Sequence, residues 1–187
     1  MIKAVFDACT LYSAPLRDFL LRLAEGKLIY PFWSEEIQNE WVQNLLRNRP
    51  DLKQSSLERT CRNMKSRFPN SIVQGHAMLI PTLQLPDMND RHVLAAAIHI
   101  KAEYIVTFNL NDFPQSILQI HGIEAISSDM LTLRLIQEAP LLVLQVAKTH
   151  RLSLTRPFLS VDEYLTMLEK QGLIETVVFL RRYKNDL

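Results

Sequence analysis

Short apolar runs alternate with helical stripes up to about residue 126, and beyond that point the hydrophobic pattern is helical throughout. Ala4-Val5-Phe6 is a tight apolar run that stops at Asp7, as a buried strand does. Pro15 to Glu25 predicts a helix, with proline in its first turn and Gly26 as its stop. Leu28 to Trp33 predicts a short strand or extended link. Ser34 then caps a helix running to about Arg47, with Glu35 and Glu36 at its positive end. After the break at Pro50, Leu52 to Phe68 is amphipathic, with Leu57, Cys61, Met64 and Phe68 on one stripe. Residues 69–86 carry no clear period. Asn89 to Lys101 is an alanine-rich helix, Tyr104 to Thr107 a buried strand, Pro114 to Ile120 a short helix and Ile123 to Ile126 a further strand.

This alternation predicts an α/β fold with a central parallel sheet and helices on both faces. Active sites of such sheets lie beyond the carboxyl ends of the strands, where Asp7 and the loop carrying Asp112 both fall. The tail predicts four helices, at about 130–138, 140–150, 160–171 and 173–183, the third opened by a Ser160–Glu163 capping box. A break near Ser127 separates an α/β core, 1–128, from a helical extension, 129–187. The tail helices are apolar over much of their circumference and need burial, against the core and against a second copy or another protein.

Composition narrows the picture without deciding it. The chain has 187 residues, 48% of them hydrophobic, and a formal charge of +1, so any nucleic-acid contact must be local rather than global. Two cysteines, Cys9 and Cys61, make neither a disulfide framework nor a zinc motif and point to a reducing, cytoplasmic setting. No apolar run is long enough to be a signal peptide or to span a membrane.

Four acids stand beside apolar runs: Asp7, Glu40, Asp90 and Asp112. A carboxylate at the edge of a core is costly unless capped, paired or bound to a cation. Each has an ordinary explanation. Asp7 could cap the turn after its strand, Asp112 could open the next helix, and Asp90 could sit in a first helical turn capped by Asp87 or Asn89. Glu40, between Ile37 and Trp41, is expected on the inward half of its helix, and Asp90 shares spacing with Leu94 and Ala97, toward the sheet. Jointly, the four predict a hard-cation site for Mg²⁺ or Mn²⁺ and phosphodiester hydrolysis.

The blocks VFDA, WSEEIQNEW, LPDMNDRHVLAAAI and IVTFNLNDFP resemble, in order and spacing, those of PIN-domain proteins over roughly residues 2–130. The resemblance implies a three-layer α/β/α fold and a divalent-metal ribonuclease of the VapC type, the toxin of a toxin–antitoxin pair. Carried over by motif, the catalytic and metal-binding acids are Asp7, Glu40, Asp90 and Asp112. Thr107 and Asn109 match the polar positions of the family's T-x-N segment, and Asp87 is a further nearby acid. The implied partners are RNA, an antitoxin protein and a second copy in a homodimer; the helical extension exceeds the minimal family domain. A non-catalytic RNA-binding or regulatory module on the same fold, and a DNA-directed nuclease, are the competing readings. A response receiver would carry adjacent acids after the first strand, and a haloacid-dehalogenase-type phosphatase would carry D-x-D; Ala8 and Cys9 exclude both.

Arg47, Arg49, Lys53, Arg59, Arg62, Lys65 and Arg67 concentrate in a stretch with only Asp51 and Glu58 as acids. Arg59, Arg62 and Lys65 are the residues expected to guide RNA phosphates. The Arg181-Arg182-Tyr183-Lys184 cluster reads as solubilising. The five histidines form no zinc pair, and His92 and His99 are expected at the surface.

Overall fold

A computed structural model describes residues 1–187 and divides them into two compact units. One comprises Ile2–Tyr12 and Tyr30–Ile126. Its centre is a sheet of five parallel strands, β1 (Ile2–Phe6), β2 (Ile29–Ser34), β3 (Ile72–Val73), β4 (Tyr104–Val106) and β5 (Glu124–Ile126), in the order β3-β2-β1-β4-β5. Helices flank it in the expected three-layer α/β/α arrangement. Register brings Phe6 opposite Val106 and Val106 opposite Ile126, so the strand ends are level where the site will form. Ala4, Val5, Phe6, Ile105 and Val106 are fully buried, which is why these runs are apolar without alternation.

The order of the strands matters more than their number. From β1 the chain steps outward to β2 and β3, then returns to lay β4 on the other side of β1. That reversal opens a crevice beyond the carboxyl ends of β1 and β4, where chains of this topology bind ligands. Three helices begin there: α1 (Ala8–Tyr12), α3 (Glu35–Asn48) and α5 (Arg91–Ile100). Their positive ends face the same edge. α4 (Gln54–Arg67) follows α3, and α6 (Gln115–Leu118) precedes β5.

Two elements were not visible in the hydrophobic pattern. The helix α1 is too short to show a period, and β3 is a two-residue strand inside the segment that carried none. β3 persists because Trp33 N–H donates to the Ser71 carbonyl at 3.0 Å and pairs the edge of β2.

The second unit takes Met1, Ser13–Ile29 and Ser127–Leu187. It packs α2 (Ala14–Glu25) with α7 (Ser128–Glu138), α8 (Pro140–Ser153), α9 (Val161–Lys170) and α10 (Ile174–Arg181). Leu16, Phe19, Leu20 and Leu23 of α2 are buried, with Val143, Ala147, Tyr164, Leu165, Leu168, Val177 and Leu180 of the later helices. The Ser160–Glu163 capping box is present. Asp129 accepts hydrogen bonds from Glu175 N–H and Thr176 N–H, both at 2.9 Å, and so caps α10 from a distant point in the chain. His150, fully buried, lies 3.1 Å from the Tyr164 hydroxyl and 3.4 Å from Asp18, itself bridged to Arg22 at 2.9 Å. Burial holds the His150 imidazole down at a pKa of about 4.

Candidate active site

Asp7 stands one residue past β1 and is 4% exposed. A buried carboxylate survives only where donors meet it. Its Oδ1 accepts from Ala8 N–H at 2.6 Å and its Oδ2 from the Thr107 hydroxyl at 2.7 Å. Thr107, fully buried, stands one residue past β4 and in turn accepts from Asn109 N–H at 3.0 Å. The two strand ends flanking the crevice are thus joined by side chains. Cys9 completes the group: its Sγ lies 3.1 Å from Asp7 Oδ2 and 3.4 Å from Thr107 Oγ1, and accepts from Phe108 N–H at 3.3 Å. Burial, and then the neighbouring Asp7 charge, raise the Cys9 thiol to a pKa of about 11, so it is protonated and can donate.

Asp87 and Asp90 divide the work at the start of α5. Asp87 is the cap, its Oδ1 accepting from Asn89 N–H at 2.8 Å, whereas the Asp90 side chain caps nothing. Asp90 is instead half-buried and pushed up to a pKa of about 7, first by burial and then by the charges of Asp7, Asp87, Asp112 and Glu40. The structure therefore brings Asp7, Asp87, Asp112 and Glu40 each within electrostatic reach of Asp90. Asp112 is half-buried at the end of a 3₁₀ turn, Leu110–Asp112, that begins after Asn109; Asn109 and Asp87 are exposed.

Glu40 corrects the sequence reading. Ile37 and Trp41 are buried, but the Glu40 side chain is 44% exposed, on the flank of α3 rather than its inward half. Its neighbour is His92, whose Nε2 lies 3.5 Å away. His92 in turn is 16% exposed at the side chain, not a surface residue, because the first turn of α5 faces α3. One helical turn earlier on α3, Glu36 lies 3.6 Å from the buried His76, whose imidazole is held below its ordinary pKa chiefly by burial. Neither histidine was assigned to the site from spacing, since each meets α3 only through the tertiary fold. Cys9 carries no signal of its own for the same reason: beyond Asp7, its partners Thr107 and Phe108 are about a hundred positions away.

The donors assembled here are oxygen atoms of carboxylates, the set that suits a hard cation over a soft one. No three acidic, histidine or cysteine side chains are already closed around one point. Burial first, and then the like charges of Asp7, Asp87, Asp112 and Glu40, raise the pKa of Asp90. An arrangement held apart by like charge fits a divalent cation that would draw it together.

Arg59, Arg62 and Lys65 lie exposed on α4, away from buried Leu57 and Met64. Asp7 and Thr107 follow directly on the carboxyl ends of β1 and β4, and the basic three are on the exposed face of α4.

Comparison with known proteins agrees with this geometry. Residues 3–111, more than half of the chain, match the family described as PIN domain, and residues 129–182 match the VapC50 C-terminal domain. A 40-residue segment is 52% identical to a Mycobacterium tuberculosis protein named "Putative ribonuclease VapC50". That match covers 21% of this chain and 24% of the relative, so it spans about a quarter of that protein's length. No solved structure matches the chain. With its parallel five-stranded sheet, its strand-end Asp7–Thr107 pair and a PIN match over most of the α/β unit, the chain belongs to the PIN-domain family.

Proposed function

We propose that this protein is a divalent-metal-dependent endoribonuclease that hydrolyses RNA phosphodiester bonds, acting as the toxin of a toxin–antitoxin pair. The observation that carries the proposal is the electrostatic coupling of Asp90 to Asp7, Asp87, Asp112 and Glu40 at the edge of the sheet. Structural carboxylates are spread apart or paired with cations, whereas no lysine or arginine is among the charges that perturb Asp90. The family of the chain and the name of its mycobacterial relative support the same reading.

Asp7, Glu40, Asp90 and Asp112 would hold Mg²⁺ or Mn²⁺, with Asp87 beside them. The ion would supply Lewis-acid stabilisation of the phosphodiester and acidify water for attack. The chain's own part is positional. Thr107 and the Ala8 amide orient Asp7, and Asn109 engages Thr107 from behind through its N–H. Asp90, able to carry a proton near neutral pH, is the group whose charge state the entering cation and phosphate would change most. Arg59, Arg62 and Lys65 of α4 would bind the RNA backbone through its phosphates. We place the protein in the cytoplasm, a reducing compartment that suits two cysteines in no disulfide. The helical second unit is our candidate surface for an antitoxin or a second copy.

The test is cleavage of a mixed RNA pool with Mg²⁺ or Mn²⁺, compared with excess EDTA and with Asp7→Asn. Cleavage that needs the metal and disappears in the variant is expected. Cleavage that persists in EDTA, or no cleavage by the wild type with either ion, overturns the proposal.

A further inference from the structure

We propose that Cys9 is a positioning residue for the nuclease site: its thiol fixes the Asp7 carboxylate and ties the end of β1 to the end of β4. This rests on the function proposed above, and it concerns a side chain that no acid-based reading of the site includes.

The argument is one of hydrogen-bond supply. An ionised carboxylate offers about four acceptor positions. On Asp7, Ala8 N–H fills one at 2.6 Å and the Thr107 hydroxyl a second at 2.7 Å. Thr107 has one proton, and at Asp7 it is spent. The next donor in reach is the Cys9 thiol, 3.1 Å from Asp7 Oδ2. The sulfur itself is oriented by Phe108 N–H, which donates to it at 3.3 Å from the segment after β4. Three donors therefore fix the plane of the carboxylate and leave about one acceptor position for a cation. Cys9 touches Asp7, Thr107 and the Phe108 amide together, so it spans both sides of the crevice. Alanine would remove the donor and the bridge at once, while serine would keep a donor.

Two measurements on the full-length protein test this, with Cys61→Ser as background so that Cys9 is the sole thiol. The first is the Raman S–H stretching band. Donation to Asp7 predicts a band at lower frequency than in Asp7→Ala, or than in urea-unfolded protein if that variant does not fold. The second is Mn²⁺ affinity by calorimetry on variants shown to be folded by circular dichroism. Loss of an outer hydrogen-bond partner to a ligand typically costs roughly 10- to 100-fold in metal affinity, and that loss is expected for Cys9→Ala, with Cys9→Ser restoring most of it. An unshifted S–H band overturns the inference, as does Mn²⁺ binding by Cys9→Ala equal to wild type, or binding by Cys9→Ser as weak as by Cys9→Ala. A shifted band in a wild-type protein that neither binds Mn²⁺ nor cleaves RNA overturns the nuclease proposal instead and leaves the thiol–carboxylate contact standing.

Discussion

Replacing Asp90 by asparagine should make the metal-free protein more stable at pH 8 and leave its stability unchanged at pH 3. Asp90 titrates at about 7 in the folded protein against an ordinary 3.8, pushed up by burial and by four neighbouring acids. Below 3.8 it is protonated whether the chain is folded or not, and it contributes nothing. Between 3.8 and about 7 the unfolded chain has released this proton and the folded chain has not, so stability falls as pH rises. Above about 7 the loss is complete and constant. Taken at about 1.4 kcal/mol for each tenfold change in acidity, the full displacement would be worth about 4 kcal/mol. Asp90 is only half-buried, and solvent screening reduces this to roughly 1–2 kcal/mol. Asparagine keeps the shape and removes the charge, so it should recover that amount. For a chain of this size, each kcal/mol moves Tm by about 2–4 °C. The assay is thermal unfolding in EDTA at pH 8 and pH 3. An Asp90→Asn protein no more stable than wild type at pH 8, or stabilised equally at both pH values, would refute the reasoning that like charges crowd this site.

Metal addition gives the complementary result: Mn²⁺ should raise the Tm of the wild type, and Asp90→Asn should lose most of that gain, readable in the same melts. Asp112→Asn should lower kcat for RNA cleavage by about 100-fold or more with little change in Tm, because it removes charge from the site and no core packing; a single-turnover assay reads this. Changing Arg59, Arg62 and Lys65 together to alanine should flatten the log–log salt dependence of RNA affinity by about 2 while sparing cleavage at saturation, and an unchanged slope would exclude α4 as the phosphate track. The helical unit should lose stability as pH falls from about 6.5 toward about 4, where unfolded chains protonate the imidazole and buried His150 resists; His150→Leu should flatten this part of the pH–stability curve, measured by urea unfolding. Deleting residues 129–187 should yield an aggregating protein, seen by light scattering, because Leu16, Phe19, Leu20 and Leu23 of α2 lose the helices that bury them.

What the chain declares locally was legible from its residues alone. Apolar runs such as Ala4–Phe6 and Tyr104–Val106 specify buried parallel strands, and Ser34, Ser160 and Glu163 specify helix starts, because each signal lies within a few residues of what it controls. The acids at strand ends and helix starts could be named for the same reason. Which of them face one another could not, because that depends on β4 returning beside β1. Only this return brings Thr107 to Asp7 and to Cys9, across about a hundred residues with no periodicity to announce the meeting. Helical spacing likewise located Glu40 relative to Trp41, but its partner His92 follows from the packing of α5 against α3, which one helix cannot encode. The largest surprise, α2 joining the C-terminal helices, has the same origin. Its apolar stripe says that the helix must be buried, and hydrophobic burial is non-directional, so only the assembled fold chooses the surface that buries it.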